Sequence, residues 1–200
     1  DKLLCGWMTT ELDGDKLTEE KILFEHNLLL VGGSETTRSA ISGGMKALLE
    51  HPEQKQWLIE NLDDDDILSR AVEEMIRWSC PFVRMRRTAT EDIELHGKVI
   101  QKGQEVLMLY PAANRDPRAF HNPDVFDIKR VSEAPSLSFG YGKHFCLGAS
   151  LAKLETKITV RKILRRLPSL ELATQPAVPL ESSFVRSLKS LPIQFESCPA

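Results

Sequence analysis

From Thr18 to Glu50 the sequence carries helix formers at helical apolar spacing, and only His51-Pro52 halts them. Thr18 suits an N-cap, and Glu19 and Glu20 fall in the positive first turn. About 32 residues at roughly 1.5 Å each make a rod of nearly 50 Å, long for a globular domain. The rod carries an anomaly at its middle, Gly32-Gly33-Ser34-Glu35-Thr36-Thr37. Two glycines inside a helix cost about 1 kcal/mol each relative to Ala, so something has to offset them. Either another helix packs closely against the small residues, or the gap leaves a groove where a flat cofactor or O₂ lies against the backbone. Glu35 and Thr36 place an acid and a hydroxyl beside that groove, a pairing suited to relaying protons.

The remaining segments are shorter. Pro52 opens a second helix running to Asn61. The acidic run Asp63 to Asp66 reads as a solvated turn and helix start. A third helix follows from Ile67 to Trp78, and Pro81 closes it. Next come four short strands: Arg84 to Thr90, Ile93 to Leu95, Lys98 to Ile100 and Glu105 to Leu109. His96-Gly97 and Lys102-Gly103 supply turns between them. Tyr110 to Ser138 is irregular and rich in Pro, Asn and Asp, the mark of a functional or disordered loop. A last long helix spans Leu147 to Leu167, with Leu147, Leu151, Leu154, Ile158 and Leu164 as its apolar stripe. Glu181 to Phe195 suggests a hairpin. The fold class is mainly α with a small β part, and there is no internal repeat.

Composition narrows the function. The 200 residues are 42 % apolar and 28 % charged, with a net charge of −3. That leaves no electrostatic footprint for nucleic acid and no basic membrane anchor in this segment. The longest strongly apolar run, Leu28 to Val31, is too short to span a bilayer. Cys5, Cys80, Cys146 and Cys198 are far apart and no CxxC occurs, which argues against a zinc knuckle and a disulfide scaffold. A reducing, cytoplasmic setting suits such a chain. The chain opens on Asp1 rather than Met, as a processed chain or a piece of a longer one does.

The most informative stretch is Phe139-Gly140-Tyr141-Gly142-Lys143-His144-Phe145-Cys146-Leu147-Gly148. Three glycines surround one cysteine just before a helix. Glycine permits left-handed turns and close approach of a flat ligand. A helix N-terminus offers free N–H groups and a positive dipole end, which favour a thiolate. Such a thiolate is what an axial haem ligand requires. Taken alone, Cys146 reads equally as a structural cysteine in a Gly-rich turn.

The full stretch resembles the haem-binding loop of the cytochrome P450 superfamily, through Phe139, Gly140, Gly142, Cys146 and Gly148. The resemblance implies that Cys146 is the proximal ligand of the haem iron. His144, where many members have Arg, would contact a haem propionate. The segment Gly32 to Thr37 resembles the family's oxygen-binding helix. Thr36 then matches the hydroxyl beside the oxygen site, and Glu35 its acidic neighbour on the proton path. Glu74-Met75-Ile76-Arg77, as a bare pattern, is an ordinary i,i+3 ion pair. In its position it resembles the family's ExxR element, which joins a loop arginine matched here by Arg130. Arg87, with Arg86 as the fallback, looks like the arginine that binds a propionate, a carboxylate suited to a guanidinium. Ala113-Asn114-Arg115-Asp116 matches a recurrent family loop, read as a fold element.

Family members are about twice as long, so the resemblance implies that residues 1–200 form the C-terminal part of a single cytochrome P450-like domain. The N-terminal half is absent. The implied parent is a haem-thiolate monooxygenase that holds haem b and inserts one atom of O₂ into a C–H bond of a small apolar substrate. Electrons would come from NAD(P)H through a reductase and a ferredoxin or flavodoxin. The segment Met85 to Thr90 and the tail Phe184 to Pro192 look most like members acting on sterol side chains, methyl-branched lipids or terpenes. Two other readings stand beside it. One is a non-catalytic haem-binding remnant or interaction module, which has no need of Cys146, Glu35 and Thr36 together. The other is a haem-thiolate isomerase or peroxygenase, which can dispense with the Glu35–Thr36 pair.

Overall fold

The computed structural model describes residues 2–131 and 134–196, so Cys198 lies outside the described residues. Helix α1 (Lys2–Thr9) and a two-residue hairpin, β1 (Glu11–Leu12) with β2 (Asp15–Lys16), precede the long helical stretch. That stretch is two helices rather than one, α2 (Glu19–Ser34) and α3 (Thr36–Leu49). Thr18 caps α2 as its sequence position suggests, accepting a hydrogen bond from the Lys21 N–H.

The break at Glu35 has a local cause. The Thr36 hydroxyl donates to the Gly32 carbonyl at 2.6 Å, and the Ser39 hydroxyl donates to the Glu35 carbonyl at 2.6 Å. Hydroxyls that bond back to the i−4 carbonyl bend a helix. Glu35 keeps helical angles, φ −98° and ψ −35°, so the chain kinks without turning.

The core forms where α3 crosses α5 (Asp65–Ser79) and both meet α7 (Ala149–Arg166), with α4 (Pro52–Glu60) alongside. Leu48, Leu58, Leu68, Met75, Val160 and Leu164 are fully enclosed there, sealed by Phe126 and Ile128 from the irregular loop. Close helix contact through small residues does occur, but at Gly43 and Gly44. A Cβ on Gly44 would lie 2.7 Å from Met75 Cβ, and one on Gly43 would lie 2.9 Å from Ser79 Cβ. Gly44→Ala is therefore expected to destabilise the protein by about 1–3 kcal/mol through overpacking, read as a lower urea midpoint at unchanged slope.

Helix α5 begins earlier than apolar spacing suggests. The Asp64 carboxylate accepts the N–H groups of Asp66 and Ile67, so the acidic run is the cap itself. Asp65 bonds Lys157 and Arg161 of α7, and those hydrogen bonds hold its carboxyl below the usual range.

Helix α7 differs from expectation in its packing. Its buried face is Ala149, Thr156, Val160 and Leu164, while Leu147, Leu151, Leu154 and Ile158 are exposed. Only Leu164 of the sequence stripe is enclosed. The helix is apolar on two sides, one covered by the core and the other exposed.

Strands β3 (Arg84–Thr88) and β6 (Glu105–Leu109) pair antiparallel, as do β4 (Ile93–Leu95) and β5 (Lys98–Ile100). Helix α6 (Tyr110–Ala113) opens the irregular stretch. The C-terminal region corrects the expected hairpin. Strand β8 (Val178–Leu180) pairs with β9 (Ser187–Ser190), and β10 (Ile193–Gln194) returns to β7 (Glu171–Leu172). The turn 181–186 is spent instead on contacts with the segment after α5, where Phe82 bridges to Val185. Among the described residues no helix is long and apolar enough to cross a membrane.

Candidate functional site

The loop ahead of α7 takes its shape from glycine. Gly140 has φ +74° and Gly142 φ +72°, angles that residues with a Cβ rarely adopt. Two 3₁₀ turns, Leu137–Phe139 and Gly142–His144, fold the chain back, and the Cys146 N–H donates to the Phe139 carbonyl at 2.9 Å. The result presents the Cys146 thiol to solvent, one residue pair ahead of Ala149. A Cβ on Gly148 would sit 3.9 Å from the Cys146 sulfur, in ordinary van der Waals contact with it. Tyr141, Phe145 and Leu147 project outward around it. His144 lies in the second turn with its side chain exposed, and Phe139 and Phe145 have ring centroids 6.4 Å apart.

At the kink, Gly32 and Gly33 have nothing within 4 Å of where a Cβ would stand. No helix fills that gap among the described residues. Thr36 is half-buried with its hydroxyl on the Gly32 carbonyl. The Glu35 carboxylate pairs with the Arg38 guanidinium. Arg84, Arg86 and Arg87 are all exposed on β3, so strand alternation separates them without burying any. Arg86 pairs with Glu105 at 2.6 Å, and among the described residues the Arg87 guanidinium bonds the Arg86 carbonyl alone. That leaves the Arg87 guanidinium with donors to spare.

Glu74, Arg77 and Arg130 come together beneath these elements. Arg77 forks onto both carboxylate oxygens of Glu74, at 2.7 and 2.8 Å, and Arg130 reaches Glu74 at 3.1 Å. The side chains of Glu74 and Arg77 are 2 % exposed and that of Arg130 10 %. Remaining guanidinium donors bind loop carbonyls: Asn114, Pro123 and Val125 for Arg77, and Asn122 and Val125 for Arg130. Among the described residues no buried side-chain nitrogen or oxygen lacks a partner.

Asn114 lies in the segment read from sequence as a fold element, a reading that assigns it no role of its own. It is fully buried, its Nδ2 donates to the Ser138 hydroxyl at 2.8 Å, and its Oδ1 accepts the Leu137 N–H at 2.8 Å. Ser138 in turn donates to the Ile76 carbonyl at 3.0 Å. Asn114 thus ties the buried ion cluster to the start of the cysteine loop. The resemblance of Ala113 to Asp116 to a recurrent family loop marks the segment as structural without showing which side chain does the tying. Cys80 is buried in left-handed conformation at the end of α5, and burial pushes its thiol pKa up.

One chain thus carries an exposed cysteine in a glycine turn, a helix break beside an open glycine gap and a buried Glu–Arg–Arg cluster. The chain belongs to the cytochrome P450 family, whose sequence model matches residues 2–196. It is 40 % identical over 196 residues to a steroid C26-monooxygenase of Mycolicibacterium smegmatis, covering 98 % of this chain and 48 % of the relative. It is 41 % identical over 195 residues to a methyl-branched lipid omega-hydroxylase of Mycobacterium bovis, covering 96 % of this chain and 44 % of the relative. Among solved structures it superposes on P450BioI in complex with an acyl carrier protein bearing hexadec-9Z-enoic acid. That match has a TM-score of 0.87 at 42 % identity, over 98 % of this chain and 52 % of the other. The chain therefore spans about half the length of the relatives it matches.

The family implies a haem iron cofactor, and the residues present fit one. Cys146 offers one open sulfur donor, and among the described residues no cluster of three or more His, Cys, Asp or Glu competes for a metal. The glycine gap leaves room for a flat face, and exposed Leu147, Leu151 and Phe145 supply apolar surface near the thiol.

Proposed function

We propose that this chain is the cysteine-bearing half of a haem-thiolate monooxygenase acting on a small apolar substrate. The single observation that carries the reading is the solvent-facing Cys146 in its glycine-shaped loop. Haem b, when bound, supplies the redox chemistry by which one atom of O₂ enters a C–H bond and the other leaves as water.

The chain's own residues have separate tasks. Cys146, set just ahead of the positive end of α7, would hold the haem iron through its thiolate. Arg87 and His144 hold the propionate carboxylates. Gly32 and Gly33 admit the flat face, and Phe139, Gly140 and Gly148 shape the loop. Thr36 holds a proton at Oγ1, which rests on the Gly32 carbonyl and can turn away from it. Glu35 supplies protons once its carboxylate leaves Arg38. Electrons arrive from NAD(P)H through a reductase and a ferredoxin or flavodoxin. The free, widely spaced cysteines suit a reducing cytoplasm.

The substrate class follows the relatives, one acting on a steroid at C26 and one on a methyl-branched lipid at its omega end. A sterol side chain, a methyl-branched lipid or a terpene shares that apolar, branched character.

The test is the reduced carbon-monoxide difference spectrum of the haem-loaded protein. A thiolate-type Soret band is expected, and a histidine-type band would overturn the reading. The proton role has its own check. Thr36→Ala is expected to divert electrons from product to hydrogen peroxide by about tenfold or more, a part of the roughly 10²–10⁴-fold that a positioned proton-transfer group contributes. Coupling as tight as wild type would remove Thr36 from the proton path.

A further inference from the structure

Ser39 and Ser187 are 148 positions apart in the chain, yet their hydroxyl oxygens lie 3.0 Å apart in the interior. Ser39 is 2 % exposed and Ser187 9 %. They join α3, just past the kink, to the first residue of β9. Nothing in the proton-handling role of Glu35 and Thr36 requires Ser187, and buried hydroxyl pairs are kept only where both partners are satisfied.

The bonding is directional. A serine hydroxyl has one proton to donate. Both the 2.6 Å bond to the Glu35 carbonyl and the 3.0 Å bond to the Ser187 hydroxyl draw on that one Ser39 proton, so Ser187 is the acceptor that shares it with the bend. The Glu35 carbonyl also accepts the Ser39 N–H at 3.0 Å. The residue at the bend is thus held by Ser39, and Ser39 is held by Ser187.

Ser187 is itself fixed from the other side. The Arg186 N–H donates to the Pro81 carbonyl at 2.7 Å, and the Val83 N–H donates to the Phe184 carbonyl at 3.0 Å. The Phe82 and Phe184 rings meet edge-to-face with centroids 5.0 Å apart. Residues 81–83 lead directly into β3, which carries Arg87. One short segment, 184–187, therefore stitches the helix kink to the root of the arginine strand.

We infer that Ser187 is a positioning residue: through Ser39 it sets the bend at Glu35, and with it the place where the Glu35 carboxylate and Thr36 hydroxyl deliver protons. The inference rests on the proton-path reading given above. It assigns to a C-terminal strand a part in the coupling of electrons to product.

The experiment uses the complete haem-loaded enzyme with Ser187→Ala, Ser187→Thr and Thr36→Ala. Two quantities are read at matched haem content: the fraction of electrons released as peroxide, and amide hydrogen exchange across residues 32–40. Ser187→Ala is expected to raise both, the peroxide fraction by about fivefold, the size of one net hydrogen bond. Ser187→Thr keeps the acceptor hydroxyl and is expected to restore both. A side chain that merely fills space would leave the peroxide fraction unmoved. If Thr36→Ala uncouples the enzyme while Ser187→Ala changes neither quantity, the positioning role is overturned and the proton path stands. If Thr36→Ala leaves coupling intact, the proton path itself fails. Unchanged exchange in Ser187→Ala then overturns the stitch as well. Should the alanine variant lose haem, Ser187→Cys, similar in size and a weak acceptor, takes its place in the same comparison.

Discussion

Cys146→Ala is expected to remove the thiolate-type Soret band of the reduced carbon-monoxide complex completely. The size of the effect follows from the donor set. Cys5 lies on α1, Cys80 is enclosed at the end of α5, and among the described residues no metal-binding cluster stands in reserve. The loop itself should survive the change. Its shape comes from Gly140 and Gly142 and from the Cys146 N–H bond to the Phe139 carbonyl, none of which uses the sulfur. The variant is therefore expected to keep the wild-type circular dichroism while losing the band. A band that persists in Cys146→Ala would transfer the ligand role to another residue.

Arg77→Ala is expected to cost about 3–5 kcal/mol, the usual consequence of removing one partner from a buried ion cluster. Total stabilities are about 5–15 kcal/mol, so the variant should be mostly unfolded in mild urea. The loss leaves Glu74 buried with Arg130 as its one remaining cation, and it strips donors from three loop carbonyls. Arg77→Lys keeps the charge but not the fork, and should recover only part of the loss. Arg118→Ala is the useful contrast. Hydrogen bonds from Arg118 hold the Asp116 carboxyl down at about 2, yet both groups face solvent. Its urea midpoint should barely move, because water replaces an exposed partner at little cost. Equal midpoints for Arg77→Ala and Arg118→Ala would show that the buried cluster does not support the fold.

Legibility in the sequence followed the range of the interaction. Local signals read well. The short strands at Ile93–Leu95, Lys98–Ile100 and Glu105–Leu109 stand where alternation and turn glycines put them. The cysteine loop was visible because three glycines and one cysteine are close in sequence. The kink at Glu35 was not, since helix formers run straight through it and the cause is where two hydroxyls point. Gly43 and Gly44 drew no notice beside Gly32 and Gly33, because only the position of Met75 and Ser79 shows which pair meets a helix. On α7 the apolar period was real, but periodicity does not say which of two apolar faces is covered. The pairing of β10 with β7 and the burial of Asn114 depend on partners more than twenty residues away. No local pattern encodes such partners.

The two buried guanidinium groups also determine where this chain tolerates a change in length. Between α6 and the cysteine loop the backbone has no ladder to hold it, and its carbonyls at 114, 121, 122, 123 and 125 are held by the forks of Arg77 and Arg130. Spacing along that run is matched to fixed donors in the way a key is matched to pins. An added residue within 121–125 would put every later carbonyl out of step. One added at 117–118, where the turn is exposed and bonds only to itself, would not. The stretch that looks most like disposable loop is therefore among the least adjustable parts of the chain.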